Sequence, residues 1–202
     1  MNDALVILLH GVGSRGADIA VLERAWAPIL PGAAFAAPDA PFAFDQAAQG
    51  QQWFSVAGVT EADRPARVVG ARPAFNATLE RIVTERGFAD RLDSVALVGF
   101  SQGSIMALDA VASGRWKVGA VVAFAGRLAT PEPFAAAVAT PVLLVHGTAD
   151  PVMPVALAED AEARLVGAGM TVHRRMIPGL GHQLDARGAQ IAGQFLAETL
   201  PQ

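Results

Sequence analysis

Short apolar runs recur along this chain, separated by stretches in which apolar positions fall every three or four residues. Segments 5–9, 33–37, 94–98, 118–124, 141–146 and 171–177 read as strands. The intervening stretches 18–30, 67–86, 104–112, 155–166 and 183–200 carry helical spacing. Pro73 marks a kink or a late start in the second of these helices. Gly167 or Gly169 supplies a stop signal for the fourth. Strand and helix alternate, which predicts an α/β fold with a parallel sheet covered on both faces and right-handed crossovers. One stretch, 38–63, stays irregular and rich in proline, glycine and glutamine. A loop of that length in a compact domain usually has a functional task.

Composition narrows the reading. The chain has 202 residues, of which 52% are hydrophobic and only 17% charged. That length and balance predict one domain, 1–202, with a buried sheet. The net charge of −4 and the absence of any basic cluster argue against a nucleic-acid partner. With no cysteine, thiolate catalysis and disulfides are excluded. Segment 4–9 is too short for a secretory core, and Asp3 stands before it where a positive charge belongs. No stretch reaches membrane-spanning length. A cytoplasmic protein without stable membrane insertion is expected.

One pentapeptide brings in chemistry. Gly99-Phe100-Ser101-Gln102-Gly103 lies between a predicted strand and a predicted helix. A serine on such a turn projects its hydroxyl out of the sheet, and the flanking glycines let chain segments pass close by. The hydroxyl still needs a base, and the base needs an orienting carboxylate. His182, between the last strand and the last helix, falls at the same sheet edge as Ser101. His146 and His10 end strands and read as structural, His10 as a brace for the following loop. His173 lies within a strand and should face a helix or solvent. Asp150 follows the fifth strand on a proline-stiffened loop, which completes the order Ser101, Asp150, His182. Its rival Asp185 suits a surface or capping role. Backbone N–H groups of Gln102 and Val12 are the expected donors to a developing oxyanion.

The segments Leu9-His10-Gly11-Val12-Gly13, Pro38-Asp39-Ala40-Pro41, Trp53-Phe54, Gly99-Phe100-Ser101-Gln102-Gly103, His146-Gly147-Thr148-Ala149-Asp150-Pro151-Val152-Met153-Pro154 and Gly181-His182 occur in that order. Together they resemble the α/β-hydrolase fold and, more narrowly, the phospholipase/carboxylesterase family that includes the acyl-protein thioesterases. The resemblance implies a six-stranded parallel sheet in the order 2-1-3-4-5-6. It also implies a cofactor-free, metal-free serine esterase with Ser101, Asp150 and His182 as triad and Val12 and Gln102 as oxyanion donors. The substrate class would be a small-molecule ester, a lysophospholipid or an acyl thioester. Ser104, Ser14-Arg15 and Ser55 depart from the family pattern. No insertion after 118–124 is long enough for a cap domain.

Phe42, Phe44, Trp53, Phe54, Val152, Met153 and Leu184 are the candidate lining of an apolar acyl groove, although each also suits ordinary core packing. Two rival functions remain. Gly11-Val12-Gly13-Ser14-Arg15-Gly16 spells the dinucleotide-binding fingerprint, with Asp39 as the ribose-binding acid of an NAD(P) oxidoreductase. The other rival is a non-catalytic ligand-binding protein on the hydrolase scaffold. The sequence leaves a monomer and a homodimer equally open.

Overall fold

The structure is a computed structural model and describes residues 2–201; Met1 and Gln202 of the expected 1–202 domain lie outside the described residues. In chain order the elements are β1 (Ala4–Leu9), α1 (Gly16–Ile19), α2 (Val21–Trp26), β2 (Ala33–Ala36), β3 (Phe42–Ala43), β4 (Gln51–Gln52), α3 (Arg64–Glu85), β5 (Val95–Phe100), α4 (Gln102–Ala112), β6 (Ala120–Phe124), β7 (Val142–Gly147), α5 (Ala156–Gly167), β8 (Val172–Ile177) and α6 (Ala186–Thr199). Six strands form one parallel sheet in the order β2-β1-β5-β6-β7-β8. Counting only those six along the chain, this is the expected order 2-1-3-4-5-6.

Strand β1 shows why the runs are continuously apolar. Leu5, Ile7 and Leu9 point into one core with α3, α4 and α5, and Val6 and Leu8 into another with α2 and α6. Neither face meets water, so neither can be polar. Trp26 is fully buried between α2 and α6, and its indole N–H donates to the Ala189 carbonyl at 2.8 Å.

The helices differ from expectation at three places. Segment 18–30 is not one helix. It breaks at Ala20, where a tight bond from Glu23 N–H to the Ala20 carbonyl re-aims the chain, and α2 ends at Trp26. Helix α3 starts earlier than predicted, at Arg64, with Pro65 in the first turn where no N–H is required. It then runs through Pro73, which costs a hydrogen bond only to Val69. Helix α6 begins three residues late because the Asp185 carboxylate caps it, accepting from Gly188 N–H at 2.8 Å. The stretch 38–63 contains the small antiparallel pair β3–β4. This pair docks on the loop after β1 through Gly13 N–H to Gln51 O at 2.8 Å and Gln51 N–H to Ser14 O at 2.9 Å.

Candidate active site

Ser101 occupies the turn between β5 and α4 with φ 52° and ψ −114°, a backbone conformation that side-chain-bearing residues rarely adopt. Two glycines make the turn possible. A Cβ on Gly99 would lie 2.3 Å from the Ser104 nitrogen, and one on Gly103 would lie 2.0 Å from the Leu9 carbonyl oxygen. Ser101 N–H is anchored to the Phe124 carbonyl at 2.9 Å. Ser104, a departure from the family pattern, places its hydroxyl 2.7 Å from the carbonyls of both Gly99 and Phe124. It fits because Gly126 faces it: a Cβ there would lie 2.4 Å from that of Ser104.

The three side chains expected to meet do meet. His182 Nε2 lies 2.9 Å from Ser101 Oγ, and His182 Nδ1 lies 2.7 Å from Asp150 Oδ2. An ionised carboxylate can only accept, so Nδ1 carries the proton and Nε2 is left to accept from the serine hydroxyl. Asp150 Oδ1 accepts from Val152 N–H and Met153 N–H, each at 2.8 Å. Burial by itself would raise the Asp150 carboxyl. The bonds from Met153 N–H, His182 and Val152 N–H outweigh it and hold the group below the usual carboxylate range. Phe100 packs against the His182 ring, centroids 5.1 Å apart.

The other histidines have other tasks. His10 is buried; its Nδ1–H donates to the Gly11 carbonyl at 2.7 Å and its Nε2 accepts from Ala40 N–H at 2.9 Å. It therefore braces the loop after β1 and also ties it to the segment after β2. His146 Nε2–H donates to the Met153 carbonyl at 2.7 Å, which steadies the Asp150 loop. His173 stands edge-on to Phe195 of α6.

Val12 and Gln102 line the same cavity as Ser101. Among the described residues, neither backbone N–H donates to a protein acceptor. The Gln102 N–H belongs to the first turn of α4, whose donors have no partner within the helix and favour negative charge. The Gln102 side chain has a role that sequence reading missed. Its carbonyl oxygen accepts from Trp53 N–H at 2.8 Å, and its amide donates to the Phe54 carbonyl at 2.7 Å. Trp53 and Phe54 lie 49 and 48 positions before Gln102, so no local sequence signal pairs them.

The cavity at Ser101 has a volume of about 480 Å³. The residues expected to form one acyl groove are not all brought together there. Phe54, Val152 and Met153 line the cavity. Trp53 is buried, its indole N–H on the His10 carbonyl at 2.9 Å, and with Phe42 it borders a separate depression. Phe44 covers Gly13. Leu184 lines a third hollow, shared with Phe100 and His182, on the imidazole side of the site. Val56, Val59, Ile105 and Leu157 complete the apolar wall, and Glu61, Arg64 and Arg127 add charge to it.

The dinucleotide fingerprint is consumed by the fold itself. Gly16 N–H, which would face a pyrophosphate, donates instead to Asp39 Oδ1 at 2.8 Å. A Cβ on Gly16 would lie 2.0 Å from the Ala37 carbonyl oxygen, and α1 behind it has only four residues. The carboxylate expected on a ribose thus fills the anion position, and the oxidoreductase reading is set aside.

Among the described residues no group of histidines and carboxylates could hold a metal ion, and no helix is long and apolar enough to cross a membrane. Comparison with known proteins identifies the family. The phospholipase/carboxylesterase family profile matches residues 1–200. The chain is 36% identical to esterase YpfH of Escherichia coli (strain K12) over 197 residues, 98% of this chain and 83% of that protein. The crystal structure of esterase PE8 superposes with a TM-score of 0.90 at 34% identity, covering 98% of this chain and 94% of the other. A Bacillus cereus carboxylesterase shares the fold with a TM-score of 0.81 at 18% identity, covering 98% and 89% of the two chains.

Proposed function

Because the chain belongs to the phospholipase/carboxylesterase family of ester hydrolases, we propose that it is a serine carboxylesterase working through an acyl-enzyme on Ser101. The observation that carries this reading is the continuous hydrogen-bonded chain from Asp150 through His182 to Ser101.

The steps follow from the donor and acceptor assignments. Ser101 Oγ attacks the ester carbonyl while its proton passes to His182 Nε2. Asp150 holds Nδ1–H and stabilises the imidazolium that forms. The carbonyl oxygen, now negative, accepts from the N–H groups of Val12 and Gln102. When the tetrahedral intermediate collapses, the leaving alcohol takes the proton from Nε2. Water then enters, gives a proton to His182, and attacks the acyl-enzyme; the acid leaves and Ser101 regains its hydrogen. A thioester would follow the same steps with a thiol as leaving group.

The cavities distinguish the two halves of the substrate. A leaving group must reach His182, which lines the hollow of Leu184 and Phe100. The acyl chain then occupies the larger cavity, whose lining includes Ser101, Val12 and Gln102 but not His182. Its volume of about 480 Å³ suits short to medium acyl chains.

The test is hydrolysis of p-nitrophenyl butyrate by Ser101→Ala. The expected fall in kcat is on the order of 10⁴–10⁶, because triad members act as a unit. A variant keeping more than about a tenth of the wild-type rate overturns the assignment.

A further inference from the structure

The largely apolar cavity next to Ser101 also carries charge. Arg64, at the start of α3, and Arg127, in the loop after β6, both line it, and each side chain is only 14% exposed. Their charges share one carboxylate, that of Glu61. Arg127 grips it with both terminal nitrogens, one at 2.9 Å from Oε1 and the other in a still shorter bond to Oε2. Arg64 reaches Oε1 at 3.2 Å. The bond from Arg127 holds the Glu61 carboxyl below its ordinary range.

Three features mark this cluster as more than a loop anchor. Glu61 is itself 69% exposed and sits in the irregular stretch before α3, so it can leave without disturbing the core. Two guanidiniums face one carboxylate, which leaves one positive charge uncompensated at the cluster. The Nε–H groups of both Arg64 and Arg127 are buried without an acceptor among the described residues, and such donors are costly unless a partner arrives. The planar fork of an arginine matches a carboxylate in geometry as well as charge.

We propose that Arg127 and Arg64 form a subsite for a carboxylate at the far end of the substrate's acyl chain, a position that Glu61 holds until substrate displaces it. The substrate class would be hemiesters of short dicarboxylic acids. This rests on the proposed acyl-enzyme reading for the direction of the acyl chain. It also gives a task to the charged residues of an otherwise apolar wall, in which Val56, Val59 and Leu157 would flank the methylene spacer.

The experiment compares monoethyl succinate, glutarate and adipate with the diethyl esters of the same acids, followed by proton release at constant pH. The wild type is expected to favour at least one hemiester over its diester in kcat/KM. Arg127→Gln should lower that preference by about tenfold, the loss of a charge-assisted bond, and Glu61→Gln should raise it by removing the competing carboxylate. A purely structural cluster would not move the preference in opposite directions. Should Arg127→Gln fail to fold, calorimetric titration of free glutarate into Ser101→Ala provides the second reading. Binding that tightens in Ser101→Ala combined with Glu61→Gln supports the subsite, and no binding overturns it. A wild type that prefers the diesters throughout, or a preference unchanged in both charge variants, overturns it as well. Loss of all turnover in Ser101→Ala alongside absent hemiester preference removes the subsite and leaves the esterase reading standing. Turnover retained in Ser101→Ala, with glutarate binding intact, does the reverse.

Discussion

Gly103 presses so closely against Leu9 that a side chain is forbidden: its Cβ would lie 2.0 Å from the Leu9 carbonyl oxygen. The obstacle is backbone at the end of β1, which cannot rotate away. The start of α4, and with it the Ser101 turn, is thus set by direct contact with the strand that leads to Val12. Gly103→Ala should destabilise the fold by about 3 kcal/mol, the upper part of the overpacking range, and lower activity by displacing Ser101. Gly70→Ala makes the complementary case. Gly70 lies in α3 with nothing within 4 Å of its would-be Cβ, so alanine should stabilise by about 0.5–1 kcal/mol. Urea denaturation of both variants checks the opposite signs.

Asp150→Asn should preserve the shape of the site and still lower kcat by about 10⁴. The Val152 and Met153 N–H groups both donate to Oδ1, so the amide oxygen must take that side. The amide NH₂ then faces His182 Nδ1 and donates to it. The ring is forced to carry its proton on Nε2, where it can no longer accept from Ser101. Steady-state kinetics alongside an unchanged circular dichroism spectrum is the expected pair of results.

Acid should weaken the protein in two separable stages. Burial disfavours the charged form of His10 and lowers its folded-state pKa, although the Gly11 bond, Asp39 and Asp18 pull the other way. An unfolded chain protonates this histidine near pH 6.5 while the folded one resists. Stability is therefore full above about pH 6.5 and declines as pH falls below it, the direction in which the unfolded state binds more protons. Asp150 is also depressed in the fold, so its contribution is present above about pH 4 and is lost as pH falls through its folded-state value. Urea midpoints between pH 7.5 and pH 5 should fall, and His10→Gln should flatten that slope whatever it does to absolute stability. An unchanged slope would sink the assignment to His10.

The parts legible in the sequence were those that depend on one segment at a time. Continuous apolar runs marked β1, β5, β6 and β7 because the middle of the sheet is buried on both faces. Ser101, Asp150 and His182 were readable because each ends at the loop edge of a strand, and parallel strands bring those edges together. What was not legible depends on which distant side chains face each other. The Gln102 amide meets the Trp53-Phe54 backbone across 48 and 49 positions, and Glu61 meets Arg127 across 66. Asp109 reads as an ordinary helix residue, yet it is fully buried and matched by Arg72, Arg115 and Thr130. The helix expected at 18–30 has a continuous apolar spacing but must turn at Ala20 to seat Trp26 against α6. Apolar character alone also misplaced Trp53, whose indole bond to His10 makes it a core strut.

Acid-quenching the enzyme during turnover of p-nitrophenyl butyrate, followed by peptide mass mapping, bears most directly on the proposed mechanism. A butyryl group should appear on Ser101 within the first turnover and be absent from Ser101→Ala. Butyryl mass on a different residue, or undiminished hydrolysis by Ser101→Ala with no modified peptide at all, would contradict the account.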